Sequence, residues 1–170
     1  MTKAHTAPFN KDLDLVLERH IDAPKELVWR ALVEPELLKK WFCPKPWQTV
    51  DCRVDLRPGG EFYTVMQSPE GTKFPNTGCF LDVVKHERLV WTSALQSGFR
   101  PVAPTTEKDK ACAEIMMTCI ITLREEGGRS HYTAHVLHGS PQQTKMHLDM
   151  GFNEGWGTCL EQMAELLKGM

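Results

Sequence analysis

No apolar run in this chain approaches the roughly 18 residues that a membrane-spanning helix needs, and the N-terminus carries no apolar signal core. Neither sign of charge dominates. Twenty basic residues stand against 22 acidic ones, a net charge of −2, and they mix locally as in Glu107-Lys108-Asp109-Lys110. Such a balance gives no electrostatic basis for binding nucleic acid. The six cysteines, Cys43, Cys52, Cys79, Cys112, Cys119 and Cys159, include no C-x-x-C pair and no histidine at ligand spacing. A Ser/His/Asp set, a phosphate loop and H-E-x-x-H are missing too. Internal repeats and linkers are also lacking. These absences predict a single cytoplasmic domain without membrane insertion, metal or cofactor, with its thiols reduced. They leave no catalytic residue to nominate, although catalytic groups can be gathered from distant strands.

What is present begins with Asp55-Leu-Arg-Pro-Gly-Gly-Glu-Phe62. Upstream, Val50, Cys52, Val54 and Leu56 alternate with Thr49, Asp51, Arg53 and Asp55, the period of a half-buried strand. Downstream, Phe62, Thr64 and Met66 share one face, and Glu61 and Tyr63 the other. Pro58 and Gly59-Gly60 predict a tight hairpin turn between them. Asp12 to Ile21 alternates as a further strand. Asp22-Ala-Pro24 starts a helix with Leu27, Val28, Ala31 and Leu32 on its apolar face. Glu34-Pro35 opens a second short helix through Leu37, Leu38 and Trp41-Phe42, which Pro44 and Pro46 end.

Proline is absent again from Lys145 to Lys168, where Phe152, Trp156, Leu160, Met163 and Leu167 recur at helical spacing. The pattern predicts one helix of about 20 residues, about 30 Å long. Gly151, Gly155 and Gly157 fall in its first half, each at a cost of about 1 kcal/mol in helix propensity. Between the ends, strands are expected over 78–84, 88–95 and 114–124, then through Tyr132, Ala134 and Val136. The polar 96–111 segment exceeds what a hairpin needs and is a candidate cover for a site. His131 and His135 share the outward face of the last strand and read as solvated; His138 has inward parity but reads as a turn residue. Cys43, beside Phe42, is the thiol to test for reactivity. One strand, two short helices, then strands ending in a long helix is an α+β plan with an antiparallel sheet.

Asp22-Ala-Pro-Lys-Glu-Leu-Val-Trp-Arg-Ala31, Pro35-Glu-Leu-Leu-Lys-Lys-Trp-Phe42, Asp55-Leu-Arg-Pro-Gly-Gly60, Glu87-Arg-Leu-Val-Trp-Thr92 and Gly155-Trp156 follow in order. Together they resemble the helix-grip (START-like, Bet v-type, SRPBCC) superfamily. The nearest branch is named after the C-terminal domain of the activator of the heat-shock protein 90 ATPase. The resemblance spans residues 12–168, with residues 1–11 as a flexible tail. It implies a curved antiparallel sheet of six or seven strands wrapped around the long C-terminal helix, with a cavity between them.

In such a fold Trp41, Phe42, Phe62, Met66, Phe80, Trp91, Met117, Phe152 and Trp156 converge, and Tyr132 joins them from the last strand. Part of this set is expected to wall a pocket of roughly a few hundred Å³. Methionine's adaptable packing suits varied apolar shapes. The leading expectation is binding of a small, mainly apolar ligand. A polyketide cyclase-like enzyme is the second reading, with Thr64, Tyr132 and Arg19 as the few inward polar groups. A co-chaperone-like partner of a heat-shock protein 90 is the weakest reading. A homo-oligomer stays open.

Overall fold

The computed structural model describes residues 8–103 and 115–170. Strand β1 (Asp14–Ile21) leads into α1 (Lys25–Val33) and α2 (Pro35–Leu38). Strands β2 (Gln48–Val54), β3 (Glu61–Gln67), β4 (Lys73–Val84) and β5 (Arg88–Thr92) follow as successive hairpins. A small pair, β6 (Leu95–Gln96) and β7 (Arg100–Pro101), flanks a 3-10 turn at Ser97–Phe99. The chain then forms β8 (Met117–Glu126), β9 (Arg129–His138), α3 (Pro141–Asp149) and α4 (Phe152–Lys168). The main sheet has seven antiparallel strands in the order β1-β9-β8-β5-β4-β3-β2. This is the expected α+β helix-grip architecture. No helix among the described residues is long and apolar enough to cross a membrane.

The sheet's buried face follows the alternation in the sequence. Leu17 pairs in register with Ala134, Ala134 with Ile121, and Ile121 with Leu89, so one apolar row crosses four strands. Val136, Cys119 and Trp91 form the next row. Against these rows α4 buries Phe152, Cys159, Leu160, Met163 and Leu167, and α1 adds Val28, Trp29, Ala31 and Leu32. Each large apolar side chain so buried stabilises the fold by about 1.5–3 kcal/mol.

Three sequence expectations need correcting. The C-terminal helix is two helices. Ser140 accepts a hydrogen bond from Gln143 N at 3.2 Å and Pro141 occupies the first turn, so α3 starts there. Gly151, at φ +90°, breaks the chain before α4, which has 17 residues. On β2 the register shifts between Thr49 and Asp51, a bulge that turns Thr49 inward; Leu56, beyond the end of the strand, is exposed.

The Asp55–Gly60 segment contains the tight turn that the sequence predicts: Gly60 N donates to Arg57 O at 2.8 Å around Pro58 and Gly59, the latter at φ +81°. A Cβ on Gly60 would lie 1.9 Å from Asp55 O, so only glycine fits that approach. Asp55 N also bonds Glu61 O across the connection at 2.9 Å. At the N-terminus, part of the presumed tail is anchored. Asn10 N donates to Asp14 at 2.9 Å, and the Phe9 ring lies 6.0 Å from that of His135. Half of the 96–111 segment, residues 104–111, and Cys112 fall outside the described residues; its start forms β6 and β7.

Candidate ligand-binding interior

Two groups of aromatic rings pack between α4 and the sheet. In the first, Phe42 meets Trp41 and Phe62 edge-on, each at 5.6 Å between centroids. Phe62 in turn packs against Phe80 at 5.2 Å and Trp91 at 5.1 Å. Trp41 is fixed from behind, where its Nε1–H donates to Ala31 O at 2.9 Å. Gln162 ties this wall to α4. Its Nε2 donates to the carbonyls of Trp41 and Cys43 at 3.2 and 2.9 Å, and its Oε1 accepts from Lys45 N at 3.0 Å.

The second group stands at the start of α4. Phe152 lies 4.9 Å from Trp156, and both flank the ring of His147, at 5.0 and 5.8 Å. His147 comes from α3 and is joined to His138 at the end of β9, Nδ1 to Nε2, at 2.9 Å. His138 Nδ1 lies 2.9 Å from Leu13 O. That carbonyl can only accept, so His138 carries its proton on Nδ1 and offers Nε2 as an acceptor. His147 then donates from its own Nδ1. Burial, and after it the neighbouring His138, lowers the pKa of His147 to about 4. Both rings are therefore buried and the pair is neutral at His147 near pH 7.

Nine of the ten side chains singled out from the sequence join one packed cluster. Trp41, Phe62, Phe80, Tyr132 and Phe152 are buried, whereas Phe42, Trp91, Met117 and Trp156 pack against the cluster with part of their surface uncovered. Met117 pairs in register with His138, which places it between the two ring groups. Met66 stands apart, near the end of β3 opposite Phe74 and Thr49, and is not in that cluster among the described residues. Burial also pushes the Tyr132 hydroxyl well above the usual phenol range, with lesser contributions from Cys119 and Cys159, so it stays a neutral group. Thr64 is buried as expected; Arg19, opposite Tyr132 in register, is on the α4 side of the sheet but remains exposed. Its guanidinium reaches α4, where a Cβ on Gly157 would stand 3.0 Å from its Nη2.

Three further expectations change on this geometry. His138 is a buried strand residue with two partners, not a turn residue. His131 and His135 do face outward, but they are not solvated: their side chains are 12% and 16% exposed, and each has a carboxylate neighbour. His135 Nε2 bonds the buried Asp14 at 2.8 Å. Cys43 is buried and accepts from Thr49 at 3.4 Å, and burial raises its pKa, the opposite of an activated thiol. Cys52 and Cys159 are pushed up likewise, to about 11 and about 12. A different depression, between Lys25 on α1 and Arg88, Thr122, Arg124 and Glu125 on the sheet, is lined largely by charge and does not suit an apolar occupant.

The family model described as Activator of Hsp90 ATPase homolog 1-like protein matches residues 22–168. The chain belongs to this family. Among solved structures, a protein from Nitrosomonas europaea is 55% identical, with a TM-score of 0.87 over 95% of this chain and 97% of that one. A protein from Mycobacterium smegmatis is 25% identical, with a TM-score of 0.71 over 92% of this chain and 91% of the other. An activator of Hsp90 ATPase homolog 1-like protein from Aeromonas hydrophila shares the fold at 21% identity, with a TM-score of 0.65 over 92% and 93% of the two chains. No curated protein matches the chain significantly. Within the Activator of Hsp90 ATPase homolog 1-like family frame, the match begins at Asp22 and so takes in α1 through α4 and every residue of the two ring groups.

Proposed function

We propose that the interior between α4 and the sheet binds one small, mainly apolar molecule. One observation carries this reading. Phe42, Trp91, Met117 and Trp156 all pack onto the core, from four different elements or turns, yet each keeps part of its surface uncovered. Single apolar side chains left partly bare are common at a core's margin, but aromatic and methionine side chains gathered there from separate elements match the composition of a ligand-site wall. Tyr132 and Thr64 supply hydroxyls that can orient a single polar group of the ligand. Affinity then rests on apolar contact and changes little with salt.

The enzyme reading has one observation in its favour, the His138–His147 pair beside Phe152 and Trp156. A base whose conjugate acid has a pKa of about 4 is poorly matched to proton abstraction near neutral pH, which ranks catalysis second.

Titration with dodecanoate and with an uncharged naphthalene dye tests the proposal, read by emission from Trp41, Trp91 and Trp156. A saturable 1:1 change that is insensitive to salt is expected. Met117→Asp, at a partly uncovered wall position, should abolish it while leaving the circular dichroism spectrum unchanged. Phe152→Asp should do the same wherever the variant folds. No response to either probe, or unchanged binding in a folded Met117→Asp variant, would refute the reading.

A further inference from the structure

The outward face of the sheet carries a cluster that interior binding does not use. His20 on β1 and His131 on β9 are directly opposite in the antiparallel register, and their rings stack at 4.8 Å with planes 12° apart. Glu126, the last residue of β8, closes the group. Its Oε2 lies 3.0 Å from His20 Nε2, and its Oε1 lies 3.3 Å from His131 Nδ1. One ligand-capable atom from each residue lies within 4.8 Å of the other two.

A second observation concerns His131 alone. Its side chain is only 12% exposed, and its Nδ1 is buried with no hydrogen-bond partner. The Glu126 oxygen is near enough but not aligned to serve as one. Buried polar atoms without a partner are rare in folded proteins, and each calls for an explanation such as an ion. The other nitrogen of the same ring, Nε2, faces Glu18 Oε2 at 3.7 Å. That is longer than a hydrogen bond, but Glu18 is 59% exposed and a small turn of its carboxylate would let it accept from Nε2–H, leaving the Nδ1 lone pair directed at the cluster, as outer carboxylates do for metal-bound histidines.

We propose that His20, Glu126 and His131 form a site for a single divalent transition-metal ion, with zinc the best fit to the ligand set. Two imidazoles and one carboxylate are borderline donors that suit zinc and its first-row neighbours, whereas magnesium and calcium prefer all-oxygen sites. Bond lengths of about 2.0–2.2 Å in a tetrahedron put ligand atoms about 3.3–3.5 Å apart. The separations to Glu126, 3.0 Å to Oε2 and 3.3 Å to Oε1, are close to this, and a turn of the carboxylate, 49% exposed, presents one oxygen to the ion. The remaining one closes by rotation of His20, whose side chain is 52% exposed and free to turn. The fourth position faces solvent and takes water. Because the ligands come from β1, β8 and β9, the ion braces the sheet edge at β1 across its two neighbouring strands.

The test uses untagged protein freed of metal by a chelator, then titrated with zinc chloride by calorimetry and followed by thermal denaturation. One equivalent is expected to bind and to raise the melting midpoint. His20→Ala and His131→Ala should each weaken binding about tenfold or more, and Glu126→Gln should weaken it less. His135→Ala, on the same face but paired with Asp14, should leave it unchanged. Binding of the same strength in a His20→Ala/His131→Ala double variant, or a loss confined to His135→Ala, would overturn the proposal. So would the absence of a midpoint shift in the parent protein at saturating zinc. All these substitutions lie on the outer face, and their folding is checked by circular dichroism before titration.

Discussion

Replacing His147 by glutamine tests the buried histidine pair through the pH dependence of stability. An unfolded histidine titrates near 6.5, whereas in the fold His147 holds its proton only below about 4. Between these values the unfolded chain binds more protons than the native one, so stability falls as pH drops from about 6.5 to about 4 and is unaffected by this group above 7. Working the two titrations through, the loss is about 2 kcal/mol at pH 5 and about 3 kcal/mol at pH 4. Glutamine can still donate to His138 Nε2 but takes up no proton. Its ring contacts with Phe152 and Trp156 are lost at every pH, so the difference between pH values carries the information. Urea denaturation at pH 7.5 and pH 5.0 is the assay. The parent should lose about 2 kcal/mol more than His147→Gln across that interval. Parallel losses in the two proteins would show that His147 charges freely in the fold, and would refute the account of its burial.

Two further substitutions read the glycines and the α4 stripe. Gly60→Ala places a Cβ 1.9 Å from Asp55 O and should cost about 3 kcal/mol or more, whereas Gly155→Ala, with open space around its Cβ, should gain up to about 1 kcal/mol of helix propensity; melting midpoints that move in the same direction would contradict both assignments. Trp156→Ala should cost about 1–2 kcal/mol by chemical denaturation, below the about 3–5 kcal/mol of a fully packed tryptophan, because part of the ring is uncovered. A loss in the higher range would mean a closed core at that point.

How much of this was readable from the chain depends on the distance over which each signal acts. Ile121 and Leu123 on β8, and Tyr132, Ala134 and Val136 on β9, alternate cleanly, and the structure buries all five. The bulge at Thr49 was not readable, because one inserted residue swaps the faces and leaves no mark in the pattern. The start of α3 was readable in Ser140-Pro141, a cap followed by a first-turn proline, but the missing proline downstream suggested one longer helix instead. The aromatic walls followed from the family resemblance together with the helical stripe. His138 and His147 belong to different elements, and their bond depends on how α3 docks against the end of β9. His20 and His131 meet only through the register of β1 on β9, which local spacing does not encode. Histidines far apart in sequence carry no ligand spacing to notice.

That same register governs when the molecule can assemble. Strands β2, β3 and β4 pair with their immediate successors, and β8 pairs with β9, so these contacts form within short loops as the chain is made. Strand β1 is different: Asp14 is paired with Leu137, across more than 120 residues of chain. On a ribosome β1 emerges before the other strands of the sheet yet has no partner until β9 has been synthesised. Through that interval Leu15, Leu17 and Ile21 remain an open, apolar strand edge, the kind of surface that aggregates or recruits a chaperone. Closing so long a loop also slows folding relative to a protein built from local hairpins alone. Pulse-labelling hydrogen exchange during refolding should therefore protect the amides of β3 and β4 well before those of β1.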